Sequence, residues 1–294
     1  MVKNLPNVLV KIMNYLVKKI KSPYDGFYIS IRGYSHILKG TLCQDYSKTY
    51  YCNDLAVCIT ADGHGSAKHF RSDKGSKFAT YSALEAVKAF MKDRDNFDNE
   101  MNKNPHKVLK KIESNILYRW NKKVLAHYNS HPLTEDELDK LPKNDDIKIE
   151  SIYGSTLIVG VMTPKYWFGM QIGDGNLITI LDNGDIEELI PMDERLVANF
   201  TTSLCDSNAL NNFRDVFSLT VPKALLSSTD GLINSFRDTD SFLRFNKMVI
   251  SEVKKDKKSL KALKKHLFKR SEDGSLDDIS IASVFVKNKK YGKV

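Results

Sequence analysis

The sequence predicts an α+β protein in which antiparallel sheets carry helices on their outer faces. Three observations point there. Short runs rich in β-branched and aromatic residues crowd the middle and the last stretch of the chain. Several of them follow one another with only a turn between, which suits hairpins. Helical patterns come in separate blocks and do not alternate one for one with the strands, which argues against βαβ units and a doubly wound parallel sheet.

In chain order, Leu5, Val8, Leu9, Ile12, Leu16 and Ile20 recur at helical spacing with lysines mostly elsewhere on the wheel. Residues 1–25 therefore read as an amphipathic helix, expected to dock on the domain's own core, with a membrane surface as the alternative. Residues 26–290 read as one domain, without linker or repeat. Phe27–Arg32 and Leu55–Thr60 are strand-like, with turn-rich sequence between them. Ala67–Met91 and Pro105–His127 read as two long helices, the second carrying Val108, Ile112, Ile116, Trp120 and Val124 at spacings of four. The acidic, proline-interrupted stretch 128–150 contains Thr134-Glu135-Asp136-Glu137, a capping-box signature for a short helix. Strands are expected over Thr156–Met162, Tyr166–Ile172, Leu177–Leu181 and Ile186–Ile190, with Asn183-Gly184 as a tight hairpin turn. Val216–Val221 and Ala224–Ser228 follow as strands, then helices over 239–250 and 252–270, then a last strand, Ile279–Val286.

Composition excludes several classes. The chain of 294 residues is 41% hydrophobic and 10% aromatic, enough for a packed core and too apolar for disorder. It has no apolar run long enough for a transmembrane helix, and the lysine-interrupted first residues make a poor secretory signal. Cys43, Cys52, Cys58 and Cys205 form no Cys-x-x-Cys pair, which disfavours structural zinc or a disulfide framework and suits a reducing cytoplasm. The formal charge of +9 is concentrated: residues 251–270 hold nine Lys/Arg against two acids, and residues 1–22 hold five lysines and no acid. The basic stretch 251–270 contains a single aromatic residue, Phe268, so nucleic acid is not the expected partner. A solvated helix face is the plainer reading.

The chemistry lies in aspartates at strand ends. Leu55–Thr60 runs into Ala61-Asp62-Gly63-His64-Gly65-Ser66, Tyr166–Ile172 into Gly173-Asp174-Gly175, and Ala224–Ser228 into Thr229-Asp230-Gly231, while Asp277-Asp278 opens the final strand. Any one Asp-Gly pair is ordinary turn chemistry. Four acidic strand ends that converge would make a carboxylate cluster, costly unless cations neutralise it. Hard divalent ions with oxygen ligands, Mg²⁺ or Mn²⁺, are the natural compensation, and metal-assisted hydrolysis of phosphoesters is the chemistry they support.

The ordered set ADGHGS (61–66), GST (154–156), IGDGN (172–176), STDGL (228–232) and DDIS (277–280) resembles the type 2C metal-dependent serine/threonine protein phosphatases. The likeness runs from about residue 27 to 286. Gly33-Tyr34-Ser35-His36 and Gln44-Asp45 resemble the divergent bacterial branch. The resemblance implies a four-layer α-β-β-α sandwich, two packed antiparallel sheets flanked by helices. It also implies a centre of two Mn²⁺ or Mg²⁺ ions, with a third, weaker one in many members, and a metal-activated water that attacks phosphorus directly. Asp62 would lie between two ions with the Gly63 carbonyl on one of them, and Asp230 and Asp277 would complete the other ion's ligands. Asp174 would serve the weaker third ion, and Asp45 would act through a bound water. His64 would be the general acid. The implied partners are a phosphorylated protein substrate and a cognate serine/threonine kinase, for a chain expected to be monomeric.

Three departures from the family pattern stand out. Its acidic pair is Gln44-Asp45, its phosphate-binding arginine falls at Gly40, and its Gly-Asp-Ser-Arg sequence appears as Gly173-Asp174-Gly175-Asn176. His36 is the favoured replacement for the phosphate-binding cation, followed by Lys39, with Arg32 and Arg71 as outside candidates expected at the surface. Ser155 and Thr156 suit close packing at a strand start, since no nucleophile elbow or Walker A sequence exists. Two alternatives to an active protein phosphatase remain: a weakly active or inactive regulatory module on the same fold, and a small-molecule phosphatase.

Overall fold

In the computed structural model, which describes residues 22–141, 148–188, 190, 201–256 and 258–287, the chain runs β1 (Tyr24–Ile31), α1 (Tyr34–Lys39), β2 (Tyr46–Tyr51), β3 (Ala56–Ala61), α2 (Ser72–Phe90), α3 (Arg94–Lys103), α4 (Pro105–Ser130), α5 (Glu135–Leu138) and α6 (Ile149–Ile152). It continues through β4 (Leu157–Met162), β5 (Trp167–Ile172), β6 (Asn176–Ile180), β7 (Ile186–Glu188), α7 (Ala209–Asn212), β8 (Arg214–Ser218), β9 (Ala224–Ser228), α8 (Asp230–Ile233), α9 (Thr239–Lys255), α10 (Ser259–Arg270) and β10 (Ile279–Val286).

The strands form two antiparallel sheets, ordered β1-β10-β9-β6-β7 and β2-β3-β4-β5-β8. Successive side chains of a strand point to opposite faces, and both faces are covered here. In β3, Ala56 and Cys58 pack towards the other sheet with Leu177, Leu225 and Val284. Val57, Ile59 and Ala61 pack under α2 and α4, against Ala79, Ala83, Ile112 and Ile116. A strand buried on both sides reads as an unbroken apolar run, which is why β3 is conspicuous in the sequence. On the far side, Phe242, Val249 and Val253 of α9 and Leu263 and Leu267 of α10 close over Phe27, Ile178, Leu226 and Ile281. The layers are therefore α-β-β-α, as the sequence leads one to expect.

Most strands fall within two residues of expectation, and β9 and β10 coincide with it. The differences have local causes. The stretch predicted as turns between the first two strands contains α1 and β2. β2 is an edge strand made of polar and tyrosine residues, Tyr46-Ser47-Lys48-Thr49-Tyr50-Tyr51, so it lacks the apolar run that marks a central strand. The helix expected over Ala67–Met91 opens as a separate 3₁₀ turn, Ala67–His69, before α2 begins at Ser72. α3 was hidden by its polarity: Asp93 caps it by accepting from the Asn96 amide, and Phe97 and Met101 bury its inner side. The short helix α5 carries the capping box of Thr134 and Glu137. The break between α9 and α10 comes at Asp256, not near residue 251. Tyr24 and Asp25, assigned by spacing to the amphipathic segment, already belong to β1; the rest of that helix, residues 1–21, lies outside the described residues. The Asn183-Gly184 turn is present, with Gly184 at φ 85°. Cys43, Cys52, Cys58 and Cys205 are all free. No helix of the described residues is long and apolar enough to cross a membrane.

Candidate metal centre

Strand ends from both sheets meet on one side of the molecule. Asp62 follows the last residue of β3, Asp174 sits in the turn between β5 and β6, and Asp230 opens α8 directly after β9. One carboxylate oxygen from each lies within 4.8 Å of the other two, and all three residues are half-buried. Burial is the largest cause of a raised pKa at each. It holds Asp62 well above the usual carboxylate range, with the charges of Asp45 and Asp230 adding to it. It lifts Asp230 to about 6, helped by Asp174 and Asp277. At Asp174 the burial effect is opposed by the Arg214 guanidinium. Three carboxylates this close, destabilised in their charged form, make an all-oxygen donor set that fits a hard divalent cation such as Mn²⁺ or Mg²⁺.

The backbone is shaped tightly around these groups. A Cβ on Gly231 would fall 2.0 Å from the Asp278 carbonyl oxygen, so the turn after Asp230 leaves no room for a side chain. Gly154 lies equally close to two imidazoles: a Cβ there would stand 2.6 Å from His64 Cδ2 and 2.6 Å from His69 Nδ1. Thr156 fastens the Asp62 strand end, accepting from the Asp62 amide at 3.0 Å and donating its own amide to the Asp62 carbonyl at 2.8 Å.

Of the remaining acids, Asp45 is buried behind the three and accepts a 2.7 Å hydrogen bond from Thr229, next to Asp230. Burial and the charge of Asp278 push it well above the usual range. Asp277 lines the cleft but is not part of the tight trio. It follows Leu276, which adopts a left-handed backbone at φ 62°, and its carboxylate turns back to accept from the Asp278 amide at 2.8 Å. The structure thus brings Asp174 into the closest group and leaves Asp277 beside it, where the resemblance implies the converse weighting.

Asp278 is the residue the sequence left unassigned. Buried at 3% exposure, it accepts from the Gly33 amide at 2.5 Å, the Gln44 amide at 2.5 Å and His36 Nδ1 at 2.9 Å. That ion pair raises the His36 pKa. One carboxylate thereby joins the Gly-x-x-His stretch, the Gln44-Asp45 pair and the final strand. Gln44 donates from its amide to Ser72 at 2.7 Å, so the residue that replaces a carboxylate helps to pin α2.

A cleft of about 600 Å³ reaches the trio at Asp62 and is lined also by Asp277, His36, Lys39, Gln44, Gly63 and His64. His64 is neutral at pH 7 in this setting, because burial, with His69 and Lys68 beside it, pulls its pKa to about 3. Arg71 is corrected from surface residue to buried strut: its guanidinium holds Glu137 at 2.8 and 2.7 Å and donates to the carbonyls of His131 and Pro132 and to Tyr153 Oη. Arg32 is half-buried and donates to the His36 carbonyl at 2.9 Å. Neither arginine lines the cleft among the described residues. The cationic side chains that do are His36, Lys39 and Lys68. Lys68, Ser203 and Asp206 on the cleft wall went unnoticed in the sequence: Ser203 and Asp206 sit in a loop without periodicity, and Lys68 in the 3₁₀ turn that reads as the start of a long helix. The only available signal for Lys68 is its nearness to the Asp62 motif.

The family model described as Protein phosphatase 2C matches residues 32–268. Similar folds occur in solved bacterial structures. PppA, described as a key regulatory component of the T6SS in Pseudomonas aeruginosa, aligns with a TM-score of 0.56 at 17% identity, over 89% of this chain and 97% of that one. The catalytic domain of the serine/threonine protein phosphatase PstP, in complex with two manganese ions, gives 0.52 at 13% identity, over 90% and 99%. The S. agalactiae serine/threonine phosphatase gives 0.52 at 16% identity, over 90% and 100%. No curated protein sequence matches the chain.

Proposed function

Since the chain belongs to the protein phosphatase 2C family, we propose that it is a metal-dependent phosphoserine/phosphothreonine protein phosphatase, a phosphoric monoester hydrolase acting on the products of a serine/threonine kinase. The observation that carries this reading is the convergence of Asp62, Asp174 and Asp230 within 4.8 Å, with Asp62 on the wall of an open cleft. Asp62 and Asp230, with the Gly63 carbonyl, are the proposed holders of two Mn²⁺ or Mg²⁺ ions, with Asp174 and Asp277 completing the set and Asp45 acting from behind. When bound, such ions supply positive charge against the phosphoryl oxygens and a water acidic enough to attack phosphorus.

The protein's own groups do the rest. His36, held in place by Asp278, and Lys39 and Lys68 on the rim are the proposed cations that receive the non-bridging oxygens, in place of the arginine that Gly40 cannot supply. His64 lines the cleft beside Asp62 and is neutral before substrate binds; it is the proposed proton donor to the departing serine or threonine oxygen on the condition that the phosphoryl dianion brings a proton onto it. A second reading, a phosphoprotein-binding module with little turnover, is favoured by one observation: Gln44 occupies a carboxylate position and is committed to Ser72.

Hydrolysis of an aryl phosphate with Mn²⁺, Mg²⁺ or excess chelator separates these readings. Metal-dependent turnover, abolished in Asp62→Asn and Asp230→Asn and shifted to higher metal concentration in Asp174→Asn, is expected. Inactivity with every divalent metal transfers the weight to the binding module, and undiminished activity in chelator removes the metal mechanism.

A further inference from the structure

We propose that a second cleft beside the metal centre receives an anionic side chain of the phosphoprotein substrate, a carboxylate or a second phosphoryl group, a few residues from the one that is hydrolysed. This assignment rests on the function proposed above and narrows its substrate class. The second cleft, of about 630 Å³, lies between α8, the start of α9 and the end of α10, and is lined by Asn234, Phe236, Arg237, His266 and Arg270 among others. One wall separates it from the metal-centre cleft. Asp273 and Gly274 of the turn Ser271–Ser275 line the second cleft, while Ser275, Leu276 and Asp277 line the first. A Cβ on Gly274 would stand 3.0 Å from the Ser235 Cα, so this wall is closely packed. Asn234 joins the two sites directly: it lines the second cleft and donates from Nδ2 to the Asp230 carboxylate at 3.0 Å.

The groups that line it select an anion. Both of its acids are committed. Asp238 caps α9, accepting from the Ser241 amide at 2.7 Å and from Ser241 Oγ at 3.0 Å, and Asp273 pairs with Lys269 at 2.9 Å. Lys269 is held as well by Glu272 at 3.0 Å, so its charge is neutralised locally. Two guanidinium groups remain. That of Arg270 sits 4.0 Å from the centre of the Phe236 ring, donates from Nη1 to the Ser235 carbonyl at 3.2 Å and from Nε to His266 Nε2 at 3.5 Å. Burial and the charge of Arg270 lower the His266 pKa, which suits the imidazole to accept that bond. Nη2 of Arg270 has no hydrogen bond among the described residues. A guanidinium fixed against a ring presents its remaining N–H groups in a set plane, suited to the paired oxygens of a carboxylate or phosphate. Arg270 taken alone is a strut between α10 and residues 234–238. Arg237 is exposed and has neither an ion pair nor a hydrogen bond among the described residues. An unpaired arginine in the lining of the same cleft is what an external anion requires.

The spacing suits a single peptide chain. Helix α8 and the turn after it separate Asp230 from Arg237, about 10 Å at helical rise. About three or four extended residues cover that span. A phosphothreonine at the metal centre and an anionic residue three or four positions away thus occupy both clefts at once. Engagement at two linked points raises affinity without altering the chemistry at phosphorus, so a small aryl phosphate is indifferent to the second cleft.

The test is hydrolysis by the full chain with Mn²⁺ of phosphothreonine peptides that differ at one position. Glutamine, glutamate or a second phosphothreonine is placed three, four or five residues from the phosphothreonine, in one series on its N-terminal side and in another on its C-terminal side. In one series the anionic peptides should show a KM at least about fivefold below that of the glutamine peptide, and glutamate against phosphothreonine tells which anion is preferred. Arg237→Gln and Arg270→Gln should each abolish that preference and leave aryl phosphate hydrolysis unchanged. Arg237 contacts nothing within the chain, so its replacement spares the fold even where that of Arg270 does not. Equal KM for all peptides in both series, or a preference that survives Arg237→Gln, would overturn the proposal. Absence of aryl phosphate hydrolysis by the wild type counts against the phosphatase reading instead. The same peptides, fluorescently labelled and titrated by anisotropy, then decide the second cleft by the same comparison of affinities.

Discussion

Asp278 receives two backbone amides and an imidazole while almost fully buried, so each partner is costly to remove. His36→Ala strips it of its imidazole donor. A buried carboxylate left short of one charge-assisted bond loses about 1–3 kcal/mol. His36→Ala should therefore lower the unfolding free energy measured in urea by that amount and also raise KM for an aryl phosphate; a raised KM with unchanged stability would separate the two roles. The same pairing links two polar residues 242 apart in sequence, His36 and Asp278: each supplies what the other lacks. His64 carries a different prediction. A phenolate that leaves readily needs no proton, whereas a threonine alkoxide does. His64→Ala should slow phosphothreonine-peptide turnover by about a hundredfold and a nitrophenyl ester by much less. Equal losses on both substrates would remove it as proton donor.

Within α4, Glu113 is fully buried and is paired with Lys110 at 2.7 Å. Burial raises its pKa to about 7 from an ordinary 4.5, against the pull of Lys110. A folded pKa above the unfolded one means that the stability carried by the neutral carboxyl is full below about pH 4.5 and is lost as pH rises through 7. Glu113→Gln should thus be more stable than wild type by about 1–3 kcal/mol at pH 8 and close to it at pH 4.5; a gap independent of pH would contradict this. The helices also show what a sequence makes legible. The α4 core stripe of Val108, Ile112, Ile116, Trp120 and Val124 is visible because a buried helix face repeats locally. β9 and β10 are visible because both faces of each are covered. β2 and α3 escape because an edge strand and a surface helix need little apolar sequence. Arg71 escapes for another reason: its partner Glu137 lies 66 residues away, and no local pattern announces a pairing of that span.

At the scale of the whole molecule, strand ends from two sheets converge, and the aspartate punctuation of the sequence marks those ends. The sequence does not reveal which carboxylates approach closest. Asp277 is turned by Leu276 towards its own backbone, and that is a matter of geometry. Because Asp62 belongs to one sheet and Asp230 follows a strand of the other, metal bound there should clamp the sandwich together. Mn²⁺ at a hundred times its dissociation constant should stabilise the fold by about 2.7 kcal/mol, raising Tm by several degrees, and Asp62→Asn should abolish that shift. A Tm indifferent to Mn²⁺ would show that the trio holds no ion. The most direct test of the account is the Mn²⁺ dependence of phosphothreonine-peptide hydrolysis by the full chain, with chelator added and then reversed by excess metal. Phosphate release that rises with Mn²⁺, stops with chelator and returns on adding metal back is the predicted result; release that ignores both metal and chelator, or no release at any concentration of Mn²⁺ or Mg²⁺, would contradict it.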